Sequence, residues 1–357
     1  MSVAMTSRDR VARAFARRDH DRVPRFDQFW PETITRWKTE GLAGNPAERF
    51  GFDMVTIADI EICPHPGRRE VLSEDAESVV VRDEWGATVR HRKDKTGSPE
   101  YLAWECTGPD TWRDLCKRPL AAGHFPLDVP AIRQIYDQAR KDHQWTCLVS
   151  ILGFEALKML MGQEQMLMAM VDEPQLVSEI SHTYTNKLIE VLERLLNAGL
   201  RFDALWIFEE MASQKGPLCG PSHYRTLIWP DHRRLVDWAH QRGLKVILHS
   251  DGQIESYLEM FILAGIDCVH PLEAKAGLDL RQLGPKYGRR LSLFGNIDMT
   301  VAGTNDRAKI EAEMQAKLEA GKATKGYLYH SDHSVPPEVS WATYQFMMEL
   351  LNRHGMY

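Results

Sequence analysis

Short apolar runs alternate with longer segments of helical periodicity along the whole chain. Apolar strands are predicted at 22–30 (RVPRFDQFW), 52–61 (FDMVTIADIE), 145–153 (WTCLVSILG) and 202–211 (FDALWIFEEM). Four more follow at 245–252 (KVILHSDG), 267–273 (DCVHPLE), 290–298 (RLSLFGNID) and 326–332 (GYLYHSD). Between them, apolar positions recur at helical spacing. Helices are expected at 6–18, 31–50, 130–143, 174–198, 221–242, 254–264, 305–320 and 338–353. Thr6 and Ser7 offer a cap to the first, and Gly199, Gly243 and Gly265 offer stops. Apolar strands alternating with helices imply a parallel sheet. Eight such units over 357 residues predict an α/β chain folded as a (β/α)8 TIM barrel, one domain over 1–357.

One segment breaks the alternation. Residues 68–104 are Val-rich and alternate in polarity around Trp85-Gly86, which predicts a β-hairpin insertion after the second strand and then a polar loop. It reads either as a solvated flap or as a lid whose Arg90, His91, Arg92 and Lys93 face an anionic ligand. Methionines 159, 161, 166, 168 and 170 fall at helical spacing and are expected to fill core.

Barrels of this kind gather their active-site residues at the C-terminal ends of the strands. Here those ends carry Asp27, Asp59 and Glu61, Glu209 and Glu210, His249 and Asp251, His270 and Glu273, Asn296 and Asp298, and His330, Asp332 and His333. Burying so many ionisable groups on one rim is costly unless they surround a polar or metal-filled pocket. Side chains on a strand alternate faces, so His249 and Asp251 point the same way and could form half a metal site. The second half would come from GYLYHSDHSVPP, 326–337. Of the neighbours Glu209 and Glu210 only one can face the pocket, and Glu210 is preferred, with Trp206 and Phe208 inward. Trp30 and Trp85 are either pocket walls or packing.

Composition narrows the setting. The net charge is −6 with no basic stripe, which argues against nucleic acid. Six scattered cysteines without a C-x-x-C pair read as reduced thiols. With no apolar run of spanning length and no apolar leader, a soluble cytoplasmic protein without a membrane partner is expected.

RDRVARAFARRDHDRVP, ILGFEALKMLMGQEQMLMAMVDEP, AGIDCVHPLE and FGNID together resemble the uroporphyrinogen decarboxylase superfamily. The resemblance covers nearly the whole chain and implies a (β/α)8 barrel. Uroporphyrinogen decarboxylases hold substrate carboxylates with an Arg-rich segment after the first strand. Here that place reads FDQFWPETITRW, with Asp27, Glu32 and only Arg36 basic. The chain is more similar to the branch of metal-dependent corrinoid methyltransferases, which bind zinc through His-x-Cys-Gly and C-G-x-x-P motifs. His249-Ser250-Asp251-Gly252 matches the first with Asp251 in place of Cys, and HSVPP, 333–337, matches the second with His333 in place of Cys.

The resemblance implies a metal held by His249, Asp251 and His333. That ligand set suits Zn(II), and also Fe(II), Mn(II) or Co(II). Glu209 or Glu210, the latter preferred, is expected as a fourth ligand or a general base. His330 and Asp332 would orient an imidazole, with Asp332 able to protonate a leaving group. The implied activity is methyl transfer between a small-molecule substrate, with an O-methyl group in view, and a corrinoid on a separate partner protein. The family's dimers imply a homodimer. A metal-assisted decarboxylase, lyase or hydrolase without corrinoid, and a non-catalytic binding barrel, stay open as alternatives.

Overall fold

Seven of the eight apolar segments form one parallel sheet, hydrogen-bonded in the order in which they occur in the chain. They are Met54–Ile60, Trp145–Ile151, Ala204–Phe208, Lys245–His249, Cys268–His270, Ser292–Phe294 and Tyr327–Leu328. The computed structural model describes residues 5–94, 99–121 and 125–357. The end of the insertion's polar loop, 95–98, and residues 122–124 of the Pro-rich stretch lie outside the described residues.

The eighth segment, 22–30, is not a regular strand. Pro24 cannot donate to a ladder, and pairing is reduced to isolated bridges from Arg25 to Tyr329 and from Phe29 to Val335. Backbone bonds from Tyr329 N to the Pro24 carbonyl (2.8 Å) and from Asp53 N to the Arg25 carbonyl (2.9 Å) still join it to both edges of the sheet. The ring closed in this way is TIM-barrel-like. A buried carboxylate reinforces the join: Asp53 accepts from Arg10 Nη1 at 2.7 Å, Arg22 Nη1 at 2.7 Å and Arg25 N at 2.8 Å.

Strand alternation separates two apolar layers. Met54, Cys147, Val149, Trp206, Ile247, Cys268, Phe294 and Leu328 fill the inside of the ring, with Phe26 packed on them. Leu148, Leu205, Val246, Leu248, Val269 and Leu293 face outward onto the helices. Among the methionines, Met161, Met166 and Met170 are buried, whereas Met168 is exposed.

Several predicted helices are divided. Residues 31–50 give Pro31–Thr39 and Pro46–Phe50. Residues 221–242 give Pro221–Leu227 and Trp229–His240. Pro230 has no N–H to continue the first of the latter pair, and its ring disfavours helical backbone just before it.

The insertion is larger than a hairpin. Strands Glu70–Glu74, Ser78–Arg82, Ala87–Arg92 and Glu100–Trp104 form a four-stranded antiparallel sheet. Val81, Ala87 and Val89 make its small core, with Val79 and Trp104 against them. The Trp104 ring docks it on Gly162, where any Cβ would meet the ring at 2.7 Å. Arg90, Arg92 and Lys93 are paired with Glu100, Asp94 and Glu74, so these cations serve the sheet itself. Among the described residues no helix is long and apolar enough to cross a membrane.

Candidate metal centre

The strand Ala204–Phe208 runs out into Glu209-Glu210, and the two carboxylates diverge. Glu209 is fully buried. It accepts the N–H groups of Phe154 (3.2 Å) and Glu155 (2.6 Å) and lies 2.6 Å from His232 Nε2. It therefore sits at the N-terminus of the helix Gly153–Met161, where unpaired N–H groups and the helix dipole favour an anion. Glu210 turns the other way. Its Oε1 is 2.7 Å from His249 Nε2, and its Oε2 accepts the N–H of Asp251 at 3.2 Å.

His249 ends the neighbouring strand, and the chain then turns sharply through Ser250, Asp251 and Gly252. Gly252 has φ +84°, and a Cβ there would lie 2.7 Å from the Ser213 carbonyl oxygen. Glu273 Oε2 accepts the Gly252 N–H at 2.6 Å. The turn brings Asp251 back beside His249. One ligand atom from each of Glu210, His249 and Asp251 lies within 4.8 Å of the others. His333 reaches the edge of this trio, its Nε2 3.5 Å from Asp251 Oδ2.

Burial and mutual charge set the electrostatics of the trio. Burial favours neutral His249, but the adjacent Glu210 carboxylate outweighs it and holds the imidazole pKa above its ordinary value. Burial would raise Glu210, and the charge of His249 with its hydrogen bond brings it below the usual range. Asp251 is pushed up, first by burial and then by Glu210 and Glu273 against the pull of His249 and His333. Asp251 Oδ1 is buried and accepts no hydrogen bond. Two carboxylates, one imidazole and a second imidazole alongside suit a divalent cation such as Zn(II), Mn(II), Fe(II) or Co(II). The residues present fit such an ion.

Beneath the trio lies a layer of rings. His249 Nδ1 is 2.7 Å from His270 Nδ1. His270 meets His330 edge to face at 4.3 Å between centroids, and Trp206 and Phe294 wall the pair. Burial lowers the pKa of His330 to about 3. At the base, Ser331 Oγ lies 2.5 Å from Asp27 Oδ1 and also contacts the His333 carbonyl. Asp27 is the acceptor here: Oδ1 takes the Ser331 hydroxyl and, at 3.2 Å, the Ser331 N–H, and Oδ2 takes the Tyr344 hydroxyl at 3.0 Å. Burial outweighs these bonds and raises the Asp27 carboxyl to about 7.

A cleft of about 530 Å³ opens next to the trio, lined by Trp30, Lys275, Met299, Asp332, His333 and Glu338 among others. Trp30 is a wall of this cleft, stacked on His333 at 5.7 Å. Trp85 is buried packing, stacked on Tyr184. None of the described insertion residues lines the cleft.

The other anticipated residues fall into place around this geometry. His249, Asp251 and His333 are brought together, and Glu210 joins them more closely than His333 does. Asp332 lines the cleft, but its two oxygens accept the N–H groups of Ala274 (3.0 Å) and Met299 (2.9 Å). It bonds backbone where an imidazole partner was expected. Asp298 caps the short helix Met299–Gly303. His270, the direct partner of His249, was visible in the sequence only as one polar strand end among many. Glu155 escaped notice within the methionine-rich segment; it is paired with Lys158 at 2.7 Å, and burial raises its pKa to about 7. All six cysteines are buried and unpaired, and none belongs to the trio.

The sequence model of a family described as uroporphyrinogen decarboxylase (URO-D) matches residues 79–354. The chain belongs to the uroporphyrinogen decarboxylase family. A curated relative, a uroporphyrinogen decarboxylase from Pelobacter propionicus, is 26% identical over 184 residues, 52% of this chain and 51% of that protein. The match thus spans about half the length of that relative. A solved methyltransferase from Methanosarcina mazei superposes with a TM-score of 0.69 at 16% identity, covering 98% of this chain and 99% of that one. At that identity the superposition speaks for the fold. Within the family frame, the segment after the first strand presents no free guanidinium: Arg36 is bonded to Glu40 and to the Pro337 carbonyl.

Proposed function

We propose that this chain is a metal-dependent methyltransferase that moves a methyl group between a small substrate and a corrinoid carried by a separate protein. The observation that carries the reading is the convergence of Glu210, His249 and Asp251 within 4.8 Å at the strand ends, with Asp251 Oδ1 left without a donor. The full-length superposition on a protein titled a methyltransferase supports it. Glu210, His249 and Asp251 would hold the metal, with His333 as a further ligand. When bound, a metal in this site of carboxylates and imidazoles, with no thiolate, would supply Lewis acidity toward a substrate oxygen, as in an O-methyl group.

The chain's own residues supply the rest. Trp30 and His333 offer a stacked aromatic wall against which a substrate can lie. Breaking a C–O bond leaves its electron pair on oxygen, which then needs a proton. Asp332 lines the same cleft and is the proposed donor. His330 supports the site from below. The chain acts as one domain with one site, in the cytoplasm.

A second reading is metal-assisted decarboxylase, lyase or hydrolase chemistry without corrinoid. The curated relative's name favours it, while the engaged Arg36 gives no support for tetrapyrrole carboxylates. The deciding experiment incubates the zinc-loaded protein with cob(I)alamin or methylcobalamin and a panel of methyl donors and acceptors. Zinc-dependent methyl transfer is expected. No transfer anywhere on the panel would sink the first reading, and corrinoid-independent turnover would establish the second.

A further inference from the structure

His249, His270 and His330 form a continuous series of ring contacts from the candidate metal centre into the barrel interior, the first pair tilted and the second edge to face. Centroids are 5.0 Å apart for the first pair and 4.3 Å for the second. Both His270 and His330 are buried, and the Nε2 of each lacks a hydrogen-bond partner. His330 Nδ1 is 2.6 Å from the Ser331 carbonyl.

The donors and acceptors at the two ends decide the middle. A carbonyl only accepts, so His330 carries its proton on Nδ1 and its Nε2 presents a lone pair. At the other end, His249 Nε2 faces Glu210. With a metal bound, His249 would offer it the Nε2 lone pair, and the one proton of the neutral ring would sit on Nδ1. His249 Nδ1–H donates to His270 Nδ1 across 2.7 Å. His270 consequently accepts on Nδ1 and carries its own proton on Nε2. The two interior nitrogens without partners are then one N–H, on His270, and one lone pair, on His330. Metal-binding imidazoles are commonly oriented by a carboxylate or carbonyl behind them; here that part falls to another imidazole.

We propose that His270, backed by His330, is a positioning residue that fixes the His249 proton on Nδ1 and keeps Nε2 available for the metal. The inference rests on the metal-centre reading above, and it is tested separately from it. Two-bond ¹⁵N–¹H spectra of His-labelled protein, without metal and with zinc, report which ring nitrogens are protonated. His270 should carry its proton on Nε2 in both states, and His249 should carry protons on both ring nitrogens without metal and on Nδ1 alone with zinc. A proton on His270 Nδ1 would overturn the proposal.

Zinc affinity, read by competition with a chromophoric chelator, forms the second arm. His270→Leu keeps bulk but cannot accept, and should weaken binding roughly 10–100-fold. His270→Asn places an amide oxygen near the Nδ1 position and should restore most of the affinity. Equal losses in both variants, at unchanged thermal stability, would reduce His270 to a space-filling role. Should His270→Leu fail to fold, the wild-type spectra still decide. Wild-type protein that binds no zinc but carries the His270 proton on Nε2 would sink the metal reading and leave the His270 assignment standing.

Discussion

Glu210 Oε1 lies 2.7 Å from His249 Nε2, while the carboxylate one residue earlier is bonded to a helix N-terminus and to His232. Adjacent and chemically identical side chains thus serve different ends. Replacing Glu209 by Ala leaves a buried imidazole and two N–H groups without their partner. Loss of one member of a buried charged network costs roughly 3–5 kcal/mol. Glu210→Ala removes a partly exposed side chain bonded to His249 Nε2 and Asp251 N, and should cost less, about 1–3 kcal/mol. Chemical denaturation and zinc titration of both variants should separate: the first loses more stability, the second more metal.

Metal content is the most direct check on the site. Wild-type protein equilibrated with zinc and desalted should retain one ion per chain by elemental analysis. The double variant Asp251→Ala, His333→Ala should lose at least the roughly 10–100-fold in affinity that removal of even an outer partner costs. Stoichiometric zinc in the double variant would place the metal elsewhere.

Asp27 gives a pH signature. Its carboxyl titrates near 7 in the folded protein because it is buried, against an ordinary value near 4 when unfolded. The folded state binds this proton more tightly. The associated stability is therefore fully present below about pH 4, falls as pH rises, and is lost once pH passes about 7, amounting to roughly 4 kcal/mol at most. Asp27→Asn, which is neutral throughout, should lack this decline. The difference in unfolding free energy between variant and wild type should move in favour of the variant from pH 5 to pH 8. A constant difference would mean that Asp27 is ionised in the fold.

The turn after Asp251 depends on Gly252. At φ +84°, with the 212–213 backbone 2.7 Å from the place of a Cβ, alanine meets both strain and a clash. Gly252→Ala should cost at least roughly 1–3 kcal/mol and displace Asp251 from His249. Urea unfolding and zinc affinity should fall together. An alanine variant with intact metal binding would show that the turn tolerates repositioning.

The alternation of apolar runs with helical periods was sufficient to read the parallel sheet, because each strand buries a row of side chains on both faces. His249, Asp251 and His333 were legible through the family motifs; in the fold Asp251 and His333 lie past their strand ends, and the Ser250–Gly252 turn sets Asp251 beside His249. What spacing could not settle lay between strands. Pro24 reduced the first predicted strand to bridges, and the insertion doubled a hairpin into four strands through pairing partners distant in sequence. The choice of Glu210 over Glu209 depended on where the N-terminus of the helix Gly153–Met161 came to rest. The partnerships of His249 with His270 and of Asp27 with Ser331 are 2.7 Å and 2.5 Å contacts between residues 21 and 304 positions apart. Periodicity reports which face of an element a side chain occupies. Hydrogen bonding falls off over fractions of an ångström, so only the tertiary fold decides which side chain it meets there.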